Sequence, residues 1–168
     1  MEKREFKLYL KDRLIGLGFH KRKDFYSKVI GEDYLIGIDL EHSSYVKGYQ
    51  FRCGIVYLPN ELRVPFRGLL DLKWNFMFPF EPGDKLEFDR KPLRYIFEYE
   101  KYTVDEFEAL FEQNYEQYIV PLHDPNYGIE MIRKDWRLMK RCDSQTIEML
   151  CARMDLDYNE VMRSLQKS

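Results

Sequence analysis

Residues 34–58, YLIGIDLEHSSYVKGYQFRCGIVYL, decide the fold class. In the first part, Tyr34, Ile36, Ile38 and Leu40 fall on one side of an extended chain, with Gly37, Asp39 and Glu41 on the other. In the last part, Tyr49, Phe51, Cys53, Ile55 and Tyr57 share one side in the same way. Successive side chains of a strand point to opposite faces, so this period of two reads as half-buried antiparallel strands. Asp24–Ile30 just upstream reads as another, closed by the turn Gly31-Glu32-Asp33. The links are short enough for hairpins, which makes a meander.

Working outward, residues 2–17 read as a helix, because Phe6, Leu10, Leu14 and Leu17 recur at three-to-four-residue spacing. Gly18 supplies a left-handed stop, and Phe19 beyond it folds back on the last turn. His20-Lys21-Arg22-Lys23 reads as a basic link. From Pro59 to Leu72 the pattern weakens, and two prolines argue against a central strand. Trp74, Phe76, Phe78 and Phe80 alternate as a short edge strand or packed loop. Leu86–Phe88 is a candidate brief strand and Leu93–Glu100 a stronger one. Thr103 and Glu106 form a capping box that opens a helix to about Val120. Further helices are expected at 128–140, 144–154 and 158–166.

Together these elements predict an α+β fold: an antiparallel sheet of four to six strands, packed against the N-terminal helix and the helix opened by Thr103. Residues 1–125 form the α+β domain, and 126–168 a helical C-terminal extension packed on it. At 168 residues, with 45% hydrophobic residues, 12 Phe and 13 Tyr, the chain buries a core without disulfide or metal. It is no disordered acidic chain. No apolar run reaches the ~18 residues of a membrane span. The three cysteines lack CxxC spacing and no signal-peptide core is present, so a cytoplasmic location is expected. Basic residues number 27 and acidic ones 29, which argues against bulk attraction to nucleic acid or anionic lipid. The charge is uneven, however. Residues 1–30 hold nine Lys/Arg and four Asp/Glu, while residues 81–117 hold eleven Asp/Glu and five Lys/Arg.

Chemistry-bearing residues concentrate in Asp39-Leu40-Glu41-His42-Ser43-Ser44-Tyr45. Two carboxylates and an imidazole converging at a strand end would suit acid–base work. The same residues also suit ligand or partner contact, or simple turn chemistry. His20, His42 and His123 lack metal-ligand spacing, and no GxSxG, Walker or GxGxxG motif occurs. Nothing in the sequence calls for a cofactor. The alternating aromatics Trp74, Phe76 and Phe78 form either an exposed binding patch or core. Residues 146–165 have helix–turn–helix spacing, and Arg133, Lys134, Arg137, Lys140 and Arg141 form a basic cluster. Asp155, Asp157 and Glu160 sit where phosphates would approach, which disfavours nucleic acid.

The leading helix, Leu17-Gly18-Phe19, Phe25-Tyr26, the strand entering Leu40-Glu41-His42-Ser43-Ser44-Tyr45, and the later Tyr118-Ile119-Val120-Pro121-Leu122 resemble an uncharacterised bacterial family, domain of unknown function 4304. The resemblance spans about two-thirds of the chain. It implies an α+β fold in a bacterial cytosolic protein, and no activity.

The expected function is therefore a cytosolic module that binds a protein or peptide partner through sheet-face or edge aromatics, in an immunity or antitoxin-like role for instance. The expected contact residues are Asp39, Glu41, His42, Ser44, Tyr45, Trp74, Phe76 and Phe78. The alternatives are an enzyme with a site near Asp39, Glu41 and His42, and nucleic-acid binding through residues 128–166.

Overall fold

The computed structural model describes residues 1–32, 34–57, 70–89 and 93–167. The expectations for Asp33, Leu58 and the irregular stretch 59–69 lie outside them. Among the described residues, six strands form one antiparallel sheet: β1 (His20–Arg22), β2 (Phe25–Ile30), β3 (Tyr34–His42), β4 (Tyr49–Tyr57), β5 (Leu72–Asn75) and β6 (Ile96–Phe97). The order is β1-β2-β3-β4-β5, and β6 pairs with β4 beyond the end of β5. The β3–β4 hairpin has the alternation read from sequence, in a register running from Tyr34 opposite Tyr57 to His42 opposite Tyr49.

One face of the sheet is covered. Helix α1 (Lys3–Gly16) and helix α2 (Val104–Tyr118) lie on it, and Phe6, Leu10, Leu14, Phe107 and Phe111 merge with the even-numbered β3 residues and odd-numbered β4 residues into a single core. Phe6 stands at the centre, with ring centroids of Tyr49, Phe51, Phe97, Tyr99 and Phe107 5.1–6.0 Å away. Such aromatic pairs add to what burial alone contributes. Gly18 does adopt a left-handed φ of 86°, and Phe19 N–H donates to the Leu14 carbonyl. The Thr103–Glu106 capping box is formed in both directions.

The C-terminal helices belong to the same core. Helices α3 (Tyr127–Lys134), α4 (Ser144–Met154) and α5 (Tyr158–Lys167) contribute Ile132, Ile147, Leu150 and Val161 to it. The Tyr34 hydroxyl donates to the Leu122 carbonyl at 2.7 Å, tying the sheet to the 3-10 turn Val120–His123.

Several local expectations change. His20–Arg22 is a strand rather than a link, paired with β2 around Lys23, which takes a left-handed φ of 56°. Residues 128–140 are not one helix. The chain extends at Asp135, whose carboxylate accepts from Arg137 N–H and starts a separate 3-10 stretch, Trp136–Arg141. Leu86–Phe88 forms no strand. Of Leu93–Glu100 only Ile96–Phe97 joins the ladder before a 3-10 turn at Tyr99–Lys101.

Candidate functional site

The second face of the sheet is an ordered grid, buried at one end and open at the other, because antiparallel register lines up residues across strands. Val29, Leu35 and Val56 make one row, and Ser27, Gly37, Gly54 and Lys73 the next. Phe25, Asp39, Arg52 and Asn75 follow, and then Glu41, Gln50 and Ile96. Phe25, Leu35, Val56 and Leu70 form a small apolar cluster at one end. Gly37 packs closely there: a Cβ would meet Phe25 Cζ and Leu70 Cδ2 at 2.7 Å, so those side chains would have to shift.

The other end of the grid is ionic. Arg52 pairs with Asp39 directly opposite it, and with Glu41 at 3.1 Å one step along. One guanidinium thus holds two carboxylates. Gln50 Nε2 donates to Asn75 Oδ1 at 2.9 Å, which ties the last two rows together. The Lys73 amine is shifted below its ordinary value, first by burial and then by the Arg141 and Arg52 cations.

His42 does not share the face of the carboxylates. It continues the even-numbered series onto the other face, where its ring meets the edge of Tyr49 at 5.2 Å between centroids. Alternation thus sets Asp39 and Glu41 on one face and His42 on the other, and at the strand end Glu41 and His42 both line one hollow. Among the described residues, no group of three or more His, Cys, Asp or Glu side chains is placed to hold a metal ion.

Trp74, Phe76 and Phe78 do not form a solvent-facing patch. Phe76 and Phe78 are fully buried, Phe76 stacking on Phe51 at 5.5 Å and Phe78 meeting Phe97 at 5.1 Å. Trp74 is half-buried and packs towards Tyr127. The alternation was real, but the aromatics fill the sheet–helix core, because the chain from Phe76 to Phe78 runs under α2. Asn114, buried on α2, clamps it there: its Oδ1 accepts from Met77 N–H and its Nδ2 donates to the Met77 carbonyl, both at 2.8 Å.

Phe80, at the end of the series, is 45% exposed, and two further exposed aromatics lie elsewhere. Tyr45, at the tip of the β3–β4 hairpin, is 93% exposed, and Tyr95, just before β6, is 52% exposed. The hairpin loop is braced: Ser43 Oγ accepts from the N–H groups of Tyr45 and Val46, and Lys47 pairs with Glu100 at 2.8 Å. Ser44 is exposed between them. Arg94 anchors the chain before Tyr95, exchanging both main-chain bonds with Phe78 and pairing with Glu98. Between these anchors lie two hollows, of about 210 and 430 Å³. The smaller is lined by Glu41, His42, Ser43, Ser44, Tyr45 and Gln50, and the larger by Val46, Leu93, Arg94, Tyr95 and Glu98. Gln50 and Ile96 wall both, so they make one trough across the last row of the grid.

Of the residues singled out from the sequence, Glu41, His42, Ser44 and Tyr45 line this trough. Sequence reasoning missed Tyr95, Ile96 and Gln50, although the pairing of Gln50 with Ile96 brings them together. The available signal was Tyr95, an aromatic whose neighbours Arg94 and Glu98 are charged. A separate hollow of about 420 Å³ lies between α2 and residues 83–87, and its Glu106 is already held by the capping box.

Arg133, Lys134, Arg137, Lys140 and Arg141 are all exposed, and so are Asp155, Asp157 and Glu160. Arg133 and Lys134 end α3, and Lys140 and Arg141 end the next 3-10 stretch, where cations complement the carbonyl ends of helices. Arg137 is paired with Asp135. No described helix is long and apolar enough to cross a membrane. Comparison of this chain with protein-family models, with curated proteins and with solved structures returns no match.

Proposed function

We propose that this chain is a binding module that recognises a protein or peptide partner at the trough between Tyr45 and Tyr95. The observation that carries this reading is two exposed tyrosines, on separately braced segments, flanking one hollow surface of aliphatic and amide side chains. Tyrosine offers a large, stiff, amphipathic contact at low entropic cost, which is why it concentrates in recognition surfaces. The bracing by Ser43, Lys47 and Arg94 supports pre-organisation, so less ordering cost falls on association. The three cysteines are free, and Cys53 and Cys151 are buried, which suits a reducing cytoplasm. A small cytosolic protein that neutralises a partner, as an immunity protein or antitoxin does, is one form of this function, and the bacterial setting rests on the family resemblance alone.

The test is capture by tagged full-length chain from lysate of the source cells, repeated with a Tyr45→Ser/Tyr95→Ser variant whose melting temperature matches the parent. The expected result is a captured polypeptide that the variant loses. Capture that the variant leaves intact refutes this assignment of the surface.

A further inference from the structure

Resting on that reading, we infer that the occupant of the trough is a proline-rich segment in polyproline II conformation carrying one arginine or lysine. The trough crosses the strands instead of following an edge: Glu41 on β3, Gln50 on β4 and Ile96 on β6 stand in one row on the open face. A ligand lying across that row runs over β3, β4 and β6 and along no single strand, so it gains no strand ladder. It must bring its own extended shape, and polyproline II is the conformation that does so without internal hydrogen bonds and with little entropy left to lose.

The dimensions agree. Two inter-strand steps separate Glu41 from Ile96, about 10 Å. One polyproline II turn of three residues advances about 9.3 Å and returns a side chain to the same face. Residues one turn apart therefore meet the two ends of the trough. Those ends differ in chemistry. Val46, Tyr95 and Ile96 offer an aliphatic and aromatic wall suited to a pyrrolidine ring or a leucine. At the other end, Asp39 and Glu41 both pair with Arg52, and Glu41 keeps 53% of its side chain exposed. That carboxylate, in the hollow that Tyr45 also lines, complements a guanidinium or ammonium group.

The experiment uses the full chain and a fluorescein-labelled proline peptide with one arginine and, three positions on, one leucine, followed by fluorescence anisotropy. Saturable binding is expected, weakened about tenfold or more by Tyr95→Ala, as removal of a central aromatic anchor does. Glu41→Gln is expected to weaken the arginine peptide and to leave its arginine-to-glutamine analogue unchanged. Equal affinity for a peptide with glycines in place of the prolines overturns the polyproline assignment. So does the absence of saturation at millimolar peptide, or binding indifferent to Tyr95→Ala. If lysate capture still depends on Tyr45 and Tyr95 while these peptides fail, the partner chemistry is wrong and the surface is right. If both fail, the surface falls with it.

Discussion

Replacing Asn114 by alanine is expected to cost about 3–4 kcal/mol. The side chain is fully buried on α2 and makes three hydrogen bonds: with Met77 N–H, with the Met77 carbonyl, and with the Leu110 carbonyl at 2.9 Å. The last adds little, because the Leu110 carbonyl keeps its helical donor. The two Met77 groups are different. They lie between Phe76 and Phe78, both fully buried, so the variant leaves them unpaired at about 1–3 kcal/mol each. The loss is a large share of the roughly 5–15 kcal/mol that holds a domain folded. It should lower the melting temperature by about 10 °C, at about 2–4 °C per kcal/mol for a chain of this size. Urea unfolding followed by circular dichroism measures it, with Gln113→Ala, exposed on the next position, as the control within about 0.5 kcal/mol. A loss under about 1 kcal/mol for Asn114→Ala, at unchanged denaturant slope, would refute the view that this amide holds the 76–78 segment under α2.

Phe76→Ala should cost about 3–5 kcal/mol, the usual price of emptying a core aromatic site, whereas Tyr45→Ala should stay within about 0.5 kcal/mol because its ring is in solvent; chemical denaturation of the two variants compares them. Thr103→Ala should cost about 1 kcal/mol through the lost N-cap, read from the same curves. Glu106, held by the Thr103 N–H and hydroxyl, has its carboxyl below the ordinary 4.5. Its contribution is therefore present above that value and lost as pH falls through the lower folded-state value, so the melting temperatures of Glu106→Gln and parent should converge in acid. Burial pushes the Cys53 thiol far up, so it should resist thiol reagents until the chain unfolds, while the less buried Cys142 is labelled before it; counting labelled thiols against time distinguishes them.

What could be read from the residues follows from where burial differs between faces. Toward the hairpin end of β3 and β4, at Asp39, Glu41, Gln50 and Arg52, one face is core and the other is more open, so the period of two was visible there, while Leu35 and Val56 are buried on the second face as well. The helices α1, α2, α4 and α5 announced themselves by spacing and caps for the same reason. The failures occur where tertiary partners decide. His20–Arg22 has no apolar alternation because all three residues are exposed, and it becomes a strand only through pairing with β2. Leu93–Glu100 alternates as well as any strand, but the β4 edge has room for only two of its residues beyond β5, and Tyr95 is left outside. Trp74–Phe80 carried the right periodicity with an undecided destination, since one sequence cannot say whether a row of aromatics meets a helix or water.

The same logic bears on how residues 39–42 are arranged, with Glu41 and His42 both lining the smaller hollow. Alternation forces Asp39 and Glu41 to one face and His42 to the other, whatever their chemistry. A binding row drawn from three strands is what register produces. Glu41, Gln50 and Ile96 are 55 residues apart from end to end in the chain, yet neighbours across the sheet. The hairpin thus divides its work by parity: Tyr34, Ile36, Ile38 and Leu40 on β3, with Tyr49 and Phe51 on β4, hold the core, and Asp39, Glu41, Gln50 and Arg52 form the ionic end of the open face. Substitutions in the first set should therefore unfold the chain before they inform on binding. In the second, Glu41 and Gln50 can be changed to test recognition while the core is left intact.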